Sequence, residues 1–160
     1  MADYESCMLQ QVLALQQQGC THAIFGDIFL EDLKAYREQQ LAAVGISCVF
    51  TLWQQDTTAL VQEFIALGFK AVVVCVNEQY LDKGFCGRMI DTAFLNDLPA
   101  GIDPCGEHGE FHSFVVDGPV FSAPVTYTTG DLVYRTYAAP ANADDSPGAT
   151  TGFYFCDLVP

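Results

Sequence analysis

Three apolar, strand-like segments recur about every 25 residues in the first half of the sequence, each followed or preceded by a helix-like segment. The strand-like segments are HAIFGDI (22–28), SCVFTLW (47–53) and KAVVVCV (70–76). The helix-like segments are YESCMLQQVLALQQQG (4–19), LEDLKAYREQQLAAVG (30–45) and TTALVQEFIALG (57–68). This alternation fits right-handed βαβ units in a parallel sheet. Residues 1–76 are therefore predicted to be α/β, with buried strands.

The predicted helix ends carry the residues that such positions favour. The helical segments end at Gly19, Gly45 and Gly68, and Asp56 stands at the N-cap of the third helix. The first strand of so small a parallel sheet would have an open edge. We therefore expect further strands upstream of Met1, or self-association into a homodimer.

The pattern changes after Asn77. Residues 82–106 are irregular with a short helical piece, and the chain turns β-rich at Phe111. The predicted strands are FHSFVVDG (111–118), APVTYTTG (123–130), DLVYRTYAA (131–139) and GFYFCDLV (152–159). TTGD (128–131) is typical of a hairpin turn with a positive φ at Gly130. Residues 140–152 have no apolar anchor, which predicts an exposed loop.

Charge and cysteine usage limit the partners and the compartment. The net charge is −14, so the field of the protein repels nucleic acid and anionic membrane. The seven cysteines are odd in number and widely spaced, without a CxxC pair. We see no signal peptide, and AVVVCV, the longest apolar run, is far too short to span a bilayer. These features predict a cytoplasmic protein with free thiols.

Residues 103–114, DPCGEHGEFHSF, gather most of the residues that could carry chemistry. One interpretation is a zinc site, because Cys105, His108 and His112 have the spacing C-x2-H-x3-H and are zinc ligand types. Against it, a strand that begins at Phe111 sends neighbouring side chains to opposite faces. We therefore predict no metal ligand here, although the zinc site stays open as an alternative.

Two further interpretations of this stretch remain. It could be a solvated turn, with Gly106 and Gly109 present for backbone freedom. A turn alone does not need carboxylates on both sides of the second glycine, however. In a functional loop, Glu107 and Glu110 could converge on a cationic or amine-bearing ligand, or accept protons as general bases.

Two other positions have both a functional and a structural interpretation. Gly26 and Asp27 follow the first predicted strand, where open α/β sheets bind ligands, and Asp27 could reach a ribose hydroxyl, a metal or an amine. Equally, Asp27 could cap the next helix. Arg88 could bind a carboxylate or phosphate bidentately, or it could pair on the surface with Asp82 or Asp91.

Four stretches together resemble the diphthine–ammonia ligase family, also called the diphthamide synthase ATP-binding domain. They are FGDIFLEDLKAYRE, LWQQDTTALVQEFIALGFKAVVVCVN, FCGRMIDTAFLNDLP and IDPCGEHGEFHSFVVDGPVF. The most specific part is CGE-x-GE-[FY]-x-[ST]-F. The resemblance implies that residues 1–56 are the C-terminal half of a HUP-type, Rossmann-like nucleotide-binding domain. Residues 57–160 would be a smaller α+β domain, with antiparallel strands, on the substrate side.

The resemblance also implies an activity. Members of this family use ATP and Mg²⁺ to activate the carboxylate of diphthine, a modified histidine on elongation factor 2, as an acyl-adenylate. Ammonia then attacks to give the amide. On this basis the cofactor-binding residues would be Gly26 and Asp27, the catalytic residues Glu107 and Glu110, and the substrate-binding residues Gly106, Gly109, His112 and Arg88.

The sequence departs from the family pattern in ways that affect this prediction. The PP-loop SGGKDS, which holds the ATP phosphates, does not occur, so we expect the chain not to turn over ATP alone. His112 stands where archaeal and eukaryotic forms usually carry glutamate, which resembles the bacterial branch and puts diphthine itself in question as the acceptor. A non-catalytic ligand-binding or assembly domain is therefore the main alternative, and a small zinc protein is the second.

Overall fold

The computed structural model describes residues 2–138 and 150–160. They form two compact units, of which the first ends at Gln55 and the second begins at Asp56. The first contains a two-stranded parallel sheet and the second a four-stranded antiparallel sheet. This confirms the predicted α/β class. No helix in the described part of the chain is long and apolar enough to cross a membrane.

The first unit alternates helices and strands. Its elements are α1 (Ala2–Gln17), β1 (His22–Phe25), α2 (Glu31–Ala42) and β2 (Ser47–Phe50). β1 and β2 run parallel, with His22 opposite Ser47 and Phe25 opposite Phe50. Gly19 and Gly45 follow the two helices with φ of +93° and +71°, which confirms their predicted role in ending them.

The prediction that β1 is buried is wrong. Its residues alternate between exposed and half-buried, and the Ile24 side chain is 71% exposed. Phe25 and Ala23 line a cavity together with Met8 of α1 and Tyr36 of α2. Because successive side chains of a strand point to opposite faces, only this face of β1 meets the two helices.

The second unit is built on an antiparallel sheet. Its elements are α3 (Thr57–Ala66), β3 (Lys70–Asn77), a 3₁₀ turn (Lys83–Phe85), α4 (Thr92–Asp97), β4 (Phe111–Asp117), β5 (Thr128–Ala138) and β6 (Thr150–Val159). The strand order is β4-β3-β6-β5, and all neighbours are antiparallel. The prediction that 70–76 continues a parallel sheet is therefore wrong, because periodicity identifies a strand but not the strands with which it pairs.

Helix α3 begins and ends as predicted. The Asp56 carboxylate accepts a hydrogen bond from Ala59 N at 2.7 Å, and Gly68 follows the helix with a φ of +85°. One apolar face of α3 then packs on the sheet through Val61, which is buried. The cap and the terminal glycine thus fix which residues of α3 face the core.

The core lies on one face of the antiparallel sheet. Its buried members are Val61, Ala71, Val73, Val76, Leu81, Phe85, Ile90, Phe94 and Phe111. Phe94 of α4 is fully buried, and its ring meets the rings of Phe85 and Phe111 edge-on at 5.8 and 5.5 Å between centroids. Edge-to-face contact is a favourable arrangement for aromatic rings, so Phe94 joins α4 to the sheet.

The predicted hairpin turn at 128–131 is also wrong. These residues belong to β5, whose pairing with β6 shifts by one residue between Thr129 and Leu132. A Cβ at Gly130 would lie 3.2 Å from atoms of Asp157 and Val159 on β6, so glycine allows a bulge and close strand approach rather than a turn. In the predicted loop 140–152, residues 150–152 form the start of β6 and the rest lie outside the described residues.

Replacing Phe94 by alanine should destabilise the second unit by about 3–5 kcal/mol, because the change removes a fully buried ring and leaves a cavity. Urea unfolding followed by circular dichroism measures this loss. Val120→Ala is the control, since Val120 is 80% exposed and its loss should change stability by less than about 0.5 kcal/mol. Equal effects of the two substitutions would contradict the placement of Phe94 in the core.

Candidate functional site

Residues 103–110 form a compact loop that leads into β4. Gly106 N donates to Asp103 O at 3.0 Å, and Gly109 N donates to Gly106 O at 3.1 Å, which gives two consecutive turns. Gly106 and Gly109 have φ of +74° and +81°. A Cβ at Gly106 would also lie 2.8 Å from the carbonyl oxygen of Phe111. Both glycines therefore adopt backbone conformations that other residues rarely adopt, as predicted.

The carboxylate of Glu110 holds this loop together. Glu110 is only 2% exposed, and its Oε1 accepts a hydrogen bond from Asp103 N at 3.1 Å, while Oε2 accepts one from His108 N at 2.9 Å. The imidazole Nδ1 of His108 lies 3.5 Å from Oε1. Hydrogen bonds to an ionised group are stronger than neutral ones, so Glu110 ties both ends of the loop to its own side chain.

Asn77, at the end of β3, anchors the loop from the sheet. Its backbone N donates to Glu110 O at 2.9 Å, and its side-chain Nδ2 donates to Gly109 O at 3.4 Å. Its Oδ1 accepts from Gln79 N at 3.0 Å. No sequence motif singles out Asn77. The available signal was a polar side chain directly after a buried apolar strand, at the point where the chain leaves the sheet.

The start of the loop is attached to helix α3. The Asp103 carboxylate accepts from Cys105 N at 2.7 Å and from Thr57 Oγ1 at 3.0 Å. Cys105 Sγ donates to Thr57 O at 3.4 Å. Burial raises the pKa of the Cys105 thiol to about 11, and the negative charges of Asp103, Glu107 and Asp56 add to this effect. Cys105 is therefore a protonated, structural thiol at neutral pH.

The candidate zinc ligands are not brought together. Cys105 points to α3, whereas His112 is exposed on β4 directly opposite Cys75 of β3. Phe111 enters the core, so the alternation of the strand sends His112 to the other face of the sheet. Across the described residues, no three His, Cys, Asp or Glu side chains are placed to hold a metal ion. The alternative of a zinc site at Cys105, His108 and His112 is wrong.

The sheet face opposite the core, here called the open face, carries a cavity of about 490 Å³. Its lining residues are Cys75, Asn77, His112, Tyr137, Ala138, Thr151, Phe153 and Phe155. The rings of Tyr137, Phe153 and Phe155 lie within 6.3 Å of one another between centroids. A second cavity of about 610 Å³ shares Cys75, His112 and Phe155. Asn77 lines the first cavity and also hydrogen-bonds Gly109 of the loop, so the cavity and the loop are adjacent.

Arg88 lies away from the open face. Its guanidinium pairs with the Asp97 carboxylate at 2.8 Å and stacks 5.2 Å above the ring of Phe85. The prediction that Arg88 forms an ion pair on the surface is confirmed, but its partner is Asp97 and not Asp82 or Asp91. Arg88 does not line either cavity of the open face.

Asp27 forms an ion pair with a residue of α2. Arg37 Nε lies 2.8 Å from Asp27 Oδ2, and neither atom has a hydrogen-bond partner of its own beyond this pair. The N-cap of α2 is Leu30, without a side-chain cap, so the prediction that Asp27 caps this helix is wrong. A Cβ at Gly26 would meet nothing within 4 Å. With Asp27 occupied by Arg37, these two residues do not by themselves fit ATP or Mg²⁺.

Comparison with known proteins locates the second unit in a family. The sequence profile of the diphthamide synthase C-terminal domain matches residues 56–135, which include α3, the loop 103–110 and β4. The chain belongs to this family. The match confirms the resemblance given by the CGEHGEFHSF stretch, and the buried Glu110 and its loop lie inside the matched domain.

Individual relatives agree with this assignment. The chain is 31% identical to the diphthine–ammonia ligase of Bos taurus over 58% of its own length and 36% of that protein. It is 27% identical to that of Danio rerio over 67% and 44% of the two lengths. For the ligase of Schizosaccharomyces pombe the identity is 27%, over 56% and 16%. The match thus spans less than half the length of these relatives.

Replacing Glu110 by glutamine should destabilise the second unit by about 1–3 kcal/mol, because an amide has one accepting oxygen and leaves a buried N–H unpaired. The exchange of the Asp103 and His108 amide hydrogens, measured by NMR, should also become faster. Glu63→Gln is the control, since Glu63 is exposed on α3. Unchanged amide exchange in Glu110→Gln would show that the carboxylate does not hold the loop.

Thiol reactivity should divide the cysteines at pH 8. Burial raises the pKa of Cys86 to about 12 and that of Cys105 to about 11, so less than about one thiol in a hundred is ionised at either position. Cys7 and Cys20 are exposed. Mass spectrometry after brief iodoacetamide treatment should find Cys7 and Cys20 modified and Cys86 and Cys105 intact, with reactivity at Cys105 rising toward pH 11. Fast labelling of Cys105 at pH 8 would contradict its placement against α3.

Proposed function

We propose that this chain is the acceptor-binding part of an ATP-dependent carboxylate–amine ligase of the diphthine–ammonia ligase type. The observation that carries the proposal is the family match over residues 56–135, which spans both the loop 103–110 and part of the open face. The relatives named above are diphthine–ammonia ligases. The acceptor is accordingly a carboxylate, small or borne on a protein, and the amine donor is ammonia.

In this proposal the acceptor lies in the cavity of the open face, next to the loop. Tyr137, Phe153 and Phe155 supply the apolar surface, and His112 supplies an exposed polar group above Cys75. Mostly apolar walls with a few polar groups are typical of small-molecule sites. Asn77 lines the cavity and also binds Gly109 O, so an acceptor in the cavity would be within reach of the loop. Arg88, paired with Asp97, has no assigned part.

The amide-forming step assigns different roles to the two glutamates. Ammonia attacks the acyl carbon of the adenylate, the carbon–nitrogen bond forms, AMP leaves, and one proton must be removed from nitrogen. Glu107 is half-buried in the loop and takes that proton as general base. Both carboxylate oxygens of Glu110 already bind backbone N–H groups, so Glu110 positions the loop.

The adenylation step is not assigned to residues of this chain. ATP is a substrate and Mg²⁺ a cofactor of the proposed reaction, but the given sequence contains no PP-loop motif and the Asp27 carboxylate pairs with Arg37. By the family resemblance, residues 1–56 would be the C-terminal half of a HUP-type domain in the proposed ligase. All seven cysteines are described and free, which fits a cytoplasmic location.

A second candidate is a non-catalytic ligand-binding domain. The cavity of the open face favours it, because a mostly apolar cavity with a few polar groups can bind a ligand without any reaction. The two candidates differ in one measurable respect. Only the ligase part should accelerate the attack of ammonia on an activated acceptor supplied from outside.

The test bypasses ATP. A peptide bearing diphthine, activated chemically as its acyl-adenylate, is mixed with the chain and ammonium at pH 8, and the amide is quantified by mass spectrometry. The chain should raise the ratio of amide to hydrolysed product, and Glu107→Gln should lower the rate about 100-fold, while Glu63→Gln leaves it unchanged. Binding of the peptide without acceleration would favour the non-catalytic domain, and no binding would overturn both candidates.

A further inference from the structure

The outer edge of β5 has no strand partner among the described residues, and beyond the bulge at Gly130 its pairing with β6 is regular from Leu132 onward. β5 has 11 residues and stands at the end of the sheet, and no described strand pairs with its outer side. It contains neither proline nor lysine, the residues that commonly keep edge strands apart. Leu132, Tyr134 and Tyr137 are 45–48% exposed along it. Such an edge pairs readily with another strand.

Among the described strands, the other edges are less available. At the opposite end of the sheet, Val125 N donates to Val116 O of β4 at 2.8 Å, so the segment after β4 returns along its outer edge. β1 and β2 have only four residues each. β5 is thus the described strand with the longest open row of backbone groups.

The two charges of β5 identify the partner. Asp131 and Arg135 are the only charged residues of the strand, and both are exposed. Asp131 makes no side-chain hydrogen bond or ion pair with a described residue, and the Arg135 guanidinium lies 6.0 Å from the ring centroid of Phe155. An acid and a base at equal distances from Val133 complement each other when the strand pairs antiparallel with a copy of itself.

We propose that β5 pairs antiparallel with β5 of a second copy, about a two-fold axis at Val133. In this register Asp131 of each copy lies opposite Arg135 of the other, which gives two opposite-charge pairs. Leu132 lies opposite Tyr134, an aliphatic–aromatic pair that favours strand association. The residues of β5 carry no net charge, because Asp131 and Arg135 cancel. The net charge of −14 on each chain is therefore not concentrated at this edge. The result is a continuous eight-stranded sheet, four strands from each copy.

The pairing has a consequence for the open face. Tyr137 lines the cavity from β5, the strand at the two-fold axis. The cavities of the two copies would therefore lie side by side on one surface of the joined sheet. The interface rests on one strand from each copy and is small, so the dimer should form reversibly at about micromolar concentrations.

Charge reversal tests this register. The unchanged chain should dimerise in sedimentation velocity runs between about 1 and 500 μM at physiological salt. Asp131→Arg places Arg opposite Arg, and Arg135→Asp places Asp opposite Asp, so each variant alone should dimerise at least about tenfold more weakly. An equimolar mixture of the two variants should restore the dimer, because each mixed pair again joins Arg to Asp. Lys83→Asp is the matched control, since Lys83 is exposed outside the sheet.

Each result decides the proposal. An unchanged chain that stays monomeric at 500 μM overturns it, as do single variants that dimerise like the unchanged chain or a mixture that stays monomeric. Circular dichroism checks that the variants fold. Should either variant fail to fold, hydrogen exchange of the unchanged chain decides instead: the β5 amides should become at least about tenfold more protected from 1 to 500 μM. Concentration-independent exchange there would overturn the pairing.

Discussion

The second unit depends on the burial of strand β3 on both of its faces. Val72 and Val73, which point to opposite sides, are both completely buried, and Val76 is equally inaccessible. β3 pairs with β4 along one side, while on the other side its last three residues pair with β6 and its first half hydrogen-bonds residues 87–90. Its backbone groups thus find partners within the protein. One face of the strand meets the helices and the other forms the floor of the open face. Its last residue, Asn77, holds the loop.

A buried carboxylate makes the loop 103–110 dependent on charge. Removing a carboxylate from water is costly unless hydrogen bonds replace the lost hydration, and Glu110 receives them from two backbone N–H groups. These two donors lie at opposite ends of the loop. Stability and site geometry therefore rest on the same side chain. The neighbouring Glu107 remains half-buried, so the two glutamates of one short motif occupy different environments.

Local sequence signals predicted the ends of elements better than their partners. Asp56 and Gly68 fixed helix α3 because capping involves atoms only a few residues apart. The same local reasoning assigned β3 to a parallel sheet, since the strand that it meets begins at Phe111, far along the chain. Gly130 predicted a turn, but glycine is equally common at a β-bulge. The close approach of Asp157 on β6, which the sequence does not reveal, distinguishes the bulge from the turn. The glycines and carboxylates of the loop identified it as a candidate site from the sequence. The aromatic residues of the open face did not stand out, because aromatic residues are common in β-strands.

The order of strands in the sheet also sets the order in which it can form. β6 lies between β3 and β5, although it follows both in the chain. While the polypeptide is being synthesised, β3 and β4 can pair early, but β5 emerges with no neighbour to join. The cavity of the open face has no Phe153 or Phe155 wall until β6 inserts, so a nascent chain holds an incomplete site with an unpaired strand. Chaperones that shield β-strands would have their main task in that interval.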